Sequence, residues 1–483
     1  MLLLSPVFLG GVLALLALVR LVQAFRSPVA RLPGPAISKF TTLLLKWHEI
    51  NATRTVYIHR LHQQYGPVVR IAPNEVAFTS WAAVKEIYCS GGSGYDKTEF
   101  YDMFRIYGRR TMFTTLNKAD HAKRKRIIAD RYANTNIMRG VSMEGIQERS
   151  AKFVRRCASA NKATDVFVTL HSYACDCITH HLFHPRGSDC LSNPEDEKMM
   201  HQVASDDSLQ NRLISHYAPT LHRIFGSLLY IFAKPRETPL ADNYVIETSQ
   251  SPDPATFTLM SRLEEKSAEL ETIDMAAECL DHMAAGIDTT GDALCFLLWE
   301  LSQPRSLHLQ RRLTEELRAN PSASLDQLPF LDAVVNEGLR CYPPIPMSLP
   351  RYVPEGGREV VEGCWLPAKT KVSCQAFSVH RINDEVFPKG DSFSPERWLE
   401  DKGDADRRRL MFAFANGGRG CIGKHLALAE MKTLLRDVYS KFSTVPDASM
   451  TQESMAMSDQ LISARPLGQK CLLHFHPLQD AEK

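Results

Sequence analysis

The sequence predicts a mainly α-helical protein with minor β-structure, folded as a single large domain behind an N-terminal transmembrane helix. Three observations predict it. Apolar residues recur at helical spacing over residues 81–88, 121–132, 272–302, 306–319 and 331–339. Strand-like alternation is confined to two distant patches, residues 68–79 and 350–380, each too small to be a domain of its own. Residues 2–19 carry no charge and are about as long as the shortest helix that spans hydrocarbon.

At the N-terminus, Arg20, Arg26 and Arg31 follow the apolar run. A positive flank stays cytosolic, so the expected topology is single-pass in the endoplasmic reticulum membrane with the main body cytosolic. No basic residue precedes the run and no small-x-small site follows it, which favours an anchor over a cleaved signal peptide. On a cytosolic body the sequon Asn51-Ala52-Thr53 stays unmodified. Leu32-Pro33-Gly34-Pro35 cannot continue a helix. The expected division is an anchor at residues 1–25, a proline-rich hinge at residues 26–36 and one domain over residues 37–483.

The body has the balance of a soluble globular domain, with 44% hydrophobic and 23% charged residues in 483. A net charge of +2 gives no reason to expect nucleic acid as a partner. Twelve scattered cysteines in a long chain read as buried free thiols in a reducing compartment. Cys175-Asp176-Cys177 lacks the second ligand pair that a metal site needs. Residues 206–271 are the least legible stretch, because Pro235, Pro239, Pro252 and Pro254 interrupt helical runs beside an apolar segment at residues 225–232. Two readings stand for it: a mobile cover over an active site, or a second membrane-contacting surface.

The richest constellation is Phe414-Ala415-Asn416-Gly417-Gly418-Arg419-Gly420-Cys421-Ile422-Gly423, followed by an amphipathic run over residues 424–442. A glycine turn delivers one cysteine to a helix start, where free N–H groups and the helix dipole stabilise a thiolate and lower its pKa. A capping loop with an incidental cysteine would explain the glycines alone. The joint offsets of phenylalanine, arginine, cysteine and glycine are more specific, and here the chain resembles the cytochrome P-450 family of haem-thiolate monooxygenases.

That resemblance implies a haem b cofactor (iron protoporphyrin IX) with Cys421 as axial ligand of the iron. It further implies Arg419 on a haem propionate, Phe414 shielding the sulfur, and Gly417, Gly418, Gly420 and Gly423 letting the backbone approach the macrocycle. Glu337 and Arg340 stand at i and i+3, and Arg397 lies in Pro395-Glu396-Arg397-Trp398. By resemblance the three form a structural triad that positions the cysteine loop. Ala285-Gly286-Ile287-Asp288-Thr289-Thr290 resembles the oxygen-activating helix: Ala285 and Gly286 pass close over the haem, Thr289 holds oxygen and water, and Asp288 relays protons. Threonine back-bonding to its own helix is the plainer account of such a residue, and would serve for Thr290. His121 and Lys125 stand where the family often has tryptophan and arginine, so their propionate role departs from the pattern; Arg351 after Pro350 matches another propionate contact.

The implied function is insertion of one oxygen atom of O2 into a C–H or C=C bond of a lipophilic small molecule. Outside the cysteine loop no G-x-G-x-x-G fingerprint is present, so electrons are expected from an NADPH-dependent flavoprotein reductase docking on a basic face with Arg407, Arg408, Arg409 and Lys424 as contributors. Residues 101–115, 283–289 and 345–349 and the segment around Met457 are expected to line the pocket. Residues 234–241 and the His121 variant look similar to fungal enzymes of secondary-metabolite biosynthesis acting on polyketides or terpenoids. A haem-thiolate isomerase or dehydratase that consumes no O2, and a non-catalytic haem-binding protein, are the alternatives; the acid and threonine of the oxygen segment argue against both.

Overall fold

The computed structural model describes residues 5–92, 94–159, 162–205, 207–266 and 268–479. A 31-residue helix, Thr272–Ser302, runs through the middle of the molecule. Its start is fixed by a reciprocal capping box between Glu271 and Asp274, and its end by Gln303 in extended conformation before Pro304. From Ile287 on, nearly every residue of this helix is buried. It lies against the equally buried helix Val166–Phe183. Two glycines permit that approach. A Cβ on Gly286 would stand 2.7 Å from Ile178 Cγ1, and one on Gly291 2.7 Å from His171 Cδ2. Glycine inside a helix costs about 1 kcal/mol against alanine, which the close packing offsets.

Around this axis sit the helices Gly140–Ala158, Leu307–Ala319, Pro329–Cys341 and Lys424–Tyr439, whose apolar faces share one large core with it. The two sequence patches with strand character meet in one five-stranded sheet. Its order is Val68–Ala72, Glu75–Phe78, Lys371–Cys374, Arg351–Tyr352, Asp96–Lys97. The first two strands form the antiparallel hairpin expected around Pro73-Asn74, while Glu75–Phe78 pairs in parallel with Lys371–Cys374. The short outer strands bring Lys97 opposite Arg351 in register. Strands near the C-terminus were not expected: Phe442–Pro446 pairs with Leu472–Pro477, and Met457–Asp459 with Ala464–Pro466. Phe442–Pro446 and Leu472–Pro477 are joined by no short turn that would mark a hairpin, and the other two strands have three residues each.

Residues 207–264 carry the helices Leu209–Tyr217, Pro219–Leu229, Pro239–Ser249 and Leu259–Glu264, with Pro235, Pro252 and Pro254 in the non-helical stretches between them, as expected. Pro219 and Pro239 stand at the first positions of Pro219–Leu229 and Pro239–Ser249, where the missing N–H costs nothing. The N-terminal helix spans Pro6–Arg26 and so continues through Arg20. Among the described residues no helix is long and apolar enough to cross a membrane, so the expected transmembrane helix is not seen as such; residues 1–4 lie outside them. The proline segment is fastened to the body, because the Arg70 guanidinium donates to the carbonyls of Leu32 (3.1 Å) and Pro35 (2.9 Å).

All twelve cysteines are free, and among the described residues no group of three histidine, cysteine or acidic side chains could hold a metal ion. Burial pushes the imidazoles of His181 and His380 down to about 3. Both are neutral in the fold but protonate near pH 6.5 when unfolded. Their contribution to stability is therefore complete above about pH 6.5 and is lost as the pH falls toward about 3. Thermal unfolding followed from neutral pH downward is expected to show Tm declining below about pH 6.5, with a shallower decline in His181→Phe.

Candidate functional site

The site is built on a buried carboxylate. Glu337, fully buried on Pro329–Cys341, accepts from Arg340 Nε (2.8 Å) and Nη2 (2.9 Å), from Arg397 Nε (3.1 Å), from the Ser394 N–H (2.8 Å) and from Trp398 Nε1 (2.9 Å). Burial alone would raise its pKa; the bonds and charges of Arg340 and Arg397 override burial and hold it low. Arg340 spends its other donors on the carbonyls of His380 (3.0 Å), Gly390 (2.6 Å) and Ser392 (2.8 Å). Glu337, Arg340 and Arg397 thus come together as one network.

His380 extends that network to the cysteine loop. Its Nδ1 donates to the Arg340 carbonyl (3.1 Å), and its Nε2 accepts the Phe412 N–H (2.7 Å). Those two bonds define one neutral tautomer, in keeping with its lowered pKa. From Phe412 the loop folds on itself through Ala415 N–H to Phe412 O (2.9 Å), Gly420 N–H to Gly417 O (2.9 Å) and Cys421 N–H to Phe414 O (2.8 Å). Gly417 has φ +73°, and a Cβ there would lie 2.0 Å from the Tyr88 carbonyl oxygen. Its glycine is required by the packed segment Lys85–Cys89. Lys125 donates to the carbonyls of Gly418 (3.0 Å) and Gly420 (3.1 Å), so its ammonium clamps the loop backbone.

Cys421 is open to a water-sized sphere yet enclosed by protein, because it opens onto an internal cavity of about 690 Å³. Burial raises the thiol pKa, while the N–H groups of Gly423 and Lys424 and the charges of Lys125 and Lys424 pull it down. Burial outweighs them, which corrects the expected net lowering; the helix start acts in the expected direction but seclusion from water is stronger. A cation at the sulfur would reverse that balance.

The same cavity gathers cations. Lys97, His121, Arg351 and Arg419 all line it. Arg419 donates to the Leu116 carbonyl (2.8 Å) and approaches Asp96 (3.4 Å), but its buried Nε and Nη1 have no hydrogen-bond partner among the described residues. Arg351 donates to Tyr101 Oη (2.7 Å) and the Pro350 carbonyl (2.9 Å). Burial, reinforced by neighbouring positive charge, pushes His121 down to about 3, Arg419 to about 10 and Lys97 well below the usual lysine range. Such a cluster is costly unless an anion joins it. The orphaned guanidinium nitrogens and the open thiol together fit a flat, dianionic, metal-bearing group.

The central helix supplies another wall of the cavity through Ala285, Gly286, Asp288 and Thr289. Thr289 Oγ1 donates to the Ala285 carbonyl at 2.6 Å. The back-bonding considered for Thr290 thus belongs to Thr289. Of the expected pocket segments, Tyr101, Phe104, Phe113, Ile345 and Leu349 line the cavity. Met457 sits half-buried against the core and Met283 is fully buried within it; Leu461 and Ile462 take the C-terminal place at the cavity. Leu209, Thr238 and Asp242 close one side, which makes residues 207–249 part of the cavity wall.

A family model described as cytochrome P-450 matches residues 33–472. The chain belongs to the cytochrome P-450 family. A cytochrome P-450 monooxygenase of Aspergillus niger, orf2, is 27% identical over 96% of both chains. Another from Aspergillus terreus, tazI, is 28% identical over 95% of this chain and 96% of its own. A fusicoccadiene 8-ol C-16 hydroxylase of Alternaria brassicicola is 26% identical over 86% of this chain and 87% of its own. This cytochrome P-450 is accordingly an oxidoreductase of the monooxygenase kind.

Sequence reasoning missed three residues of this cytochrome P-450. Lys97 gave no signal, being one basic residue in a two-residue strand. Trp398 was visible in the arginine element, but its indole N–H bond to Glu337 was not. His380 stood at the end of the second strand patch, and only its two bonds reveal its use. Arg407, expected on an exposed basic face, is buried against Glu400. Removing one partner of the Glu337 network is expected to cost about 3–5 kcal/mol. Glu337→Gln should therefore lose haem content and unfold at lower denaturant. His380→Phe, which leaves a buried N–H and C=O unpaired, is expected to cost about 1–3 kcal/mol per orphaned group and to broaden the thiolate-haem spectrum.

Proposed function

We propose that this cytochrome P-450 hydroxylates or epoxidises a lipophilic secondary metabolite, with polyketides and terpenoids as the substrate classes, using O2 and electrons from an NADPH-dependent flavoprotein reductase. The observation that carries the reading is the Cys421 sulfur opening into a cavity that also holds the unpartnered guanidinium nitrogens of Arg419 and the Asp288-Thr289 pair. Cys421 would ligate the iron of haem b. Arg419, Arg351, His121 and Lys97 would neutralise its carboxylates. Phe414 would keep water from the sulfur, and Lys125 and Gly423 would keep the loop in place. When bound there, haem supplies the iron that binds O2 and splits it with two electrons and two protons.

The remaining work belongs to side chains. Because Thr289 spends its proton on the Ala285 carbonyl, its hydroxyl oxygen meets the cavity as an acceptor and orders a proton-bearing group there. Asp288, one residue before it on the same helix, moves protons inward. Ala285 leaves room beside them. The aromatic cluster of Phe100, Tyr101, Phe104 and Phe113 gives the substrate an apolar wall. Lys118, Lys123 and Arg126 are exposed on the helix that clamps the loop, and with exposed Lys424 they form a basic face suited to an acidic reductase.

Attachment to the endoplasmic reticulum membrane through the N-terminal helix is part of the same proposal. Its support is an apolar surface that continues from the helix onto the body: Phe25 packs edge-on to Phe40 at 5.7 Å, and Leu43, Trp47, Ile224, Leu228 and Phe232 are exposed beyond it. Helix Leu43–Ile50 carries part of this surface and is tied to Leu209–Tyr217 by Gln210 Nε2 donating to the Ile50 carbonyl (3.0 Å). So large an exposed patch fits a lipid surface.

The reduced, carbon-monoxide-bound protein is expected to show the red-shifted absorption of thiolate-ligated haem, and Cys421→Ala to abolish it; a shift retained without the sulfur overturns the ligand assignment. In microsomes with a reductase and candidate substrates, Thr289→Ala is expected to divert NADPH consumption to peroxide and cut product about a hundredfold by mass spectrometry. Unchanged coupling would remove Thr289 from oxygen handling.

A further inference from the structure

Asp292 lies one helical turn beyond Asp288, lines the cavity, and is 3% exposed. Its Oδ1 has no hydrogen-bond partner among the described residues. The atom nearest in kind is His171 Nε2, at 3.6 Å from the neighbouring helix. The other ring nitrogen settles what Nε2 carries. His171 Nδ1 stands 2.7 Å from the Phe167 carbonyl, which can only accept, so Nδ1 bears the proton and a neutral ring offers a bare lone pair at Nε2. The Oδ1 of a carboxylate and the lone pair of a ring nitrogen would then face each other in a buried place. One proton between them removes that repulsion, whether it rests on oxygen or on nitrogen.

The fold goes out of its way to make this contact. Gly291 is the position where a Cβ would strike the His171 ring at 2.7 Å, so the ring lies against bare helix backbone beside Asp292. The charged surroundings are few. Asp288 adds negative charge on the cavity side and Arg465 adds positive charge, while Arg465 itself is engaged with Asp207 at 2.7 Å. Cys295 lies beyond Asp292 on the same helix, and His201, half-buried on Pro194–Ala204, is the next titratable group outward from His171. Across the cavity wall the Glu430 carboxyl is pushed up to about 8 by burial, a rise that the Thr290 hydroxyl opposes.

We propose that Asp292 and His171 hold one proton between them and pass it toward Asp288, forming an inner proton store for the cavity. The proposal rests on the oxygenase reading for its use, since that reaction draws protons at the Asp288 end. The store itself is a property of the chain. Each delivered proton leaves the pair for Asp288 and is replaced from the His201 side, so charge is conserved over a turnover.

Infrared difference spectra of the purified full-length haem protein at neutral pH, in H2O and D2O, test the store directly. Wild type is expected to show either a deuterium-sensitive protonated carboxyl band or an imidazolium signature that disappears in the near-isosteric Asp292→Asn. In His171→Gln the proton can rest only on the carboxyl, so a deuterium-sensitive carboxyl band is expected at a frequency different from any in wild type, which keeps the test available if Asp292→Asn does not fold. Absence of any signature that responds to either substitution overturns the proposal. With the thiolate-haem spectrum intact, Asp292→Asn is also expected to raise the solvent isotope effect on NADPH consumption severalfold; an unchanged isotope effect overturns the delivery role. Loss of the thiolate-haem spectrum in wild type would instead sink the oxygenase reading and leave the infrared result standing.

Discussion

One buried carboxylate organises the catalytic half of this molecule. Glu337 is removed from water and offered five donors in compensation, two from Arg340, one each from Arg397, Trp398 and the Ser394 backbone. A charge so placed tolerates little movement, because any donor that leaves exposes an unpaired ion to a low-dielectric interior. The stiffness is passed along: Arg340 fixes His380, His380 fixes the Phe412 N–H, and the loop that follows delivers Cys421. Lys125 grips the same loop from the basic helix. Sulfur position is thus set by polar contacts, with the apolar core supplying the ground they stand on.

The cavity beside that sulfur is electrostatically unfinished. Lys97, Arg419 and His121 are each moved away from their charged forms by burial and by neighbouring positive charge, that of Arg351 included. Folding brings together groups that repel, and a bound dianion converts the repulsion into attraction. Binding energy of that kind stabilises the folded state by mass action, so haem retention and chain stability are coupled in this protein.

The long central helix serves two faces at once. Toward Val166–Phe183 it is cut back to glycine at positions 286 and 291, which lets two buried helices close to backbone distance. Toward the cavity it shows Ala285, Asp288 and Thr289. Gly286, which sequence resemblance attaches to the cofactor face, is required on the opposite side by Ile178. The same residue can satisfy both, since a missing side chain crowds neither neighbour.

What was legible in the chain alone was local. The cysteine loop, the Glu337 and Arg340 spacing and the oxygen segment are short runs whose meaning lies in offsets along one backbone. The helical character of the domain followed from periodicity, although Pro239 disguised a helix start as a break. The C-terminal strands were either three residues long or paired across a long connection with no hairpin turn to mark them. Sequence by itself therefore determined the chemistry class and singled out Cys421 from the other cysteines. Tertiary structure decided which charges surround it. Lys97 meets Arg351 only because two short strands pair across the sheet, His380 reaches Phe412 only through a buried bond, and Asp292 faces His171 only where two helices touch. These contacts join segments remote in sequence, and no pattern within either segment records the register at which they meet.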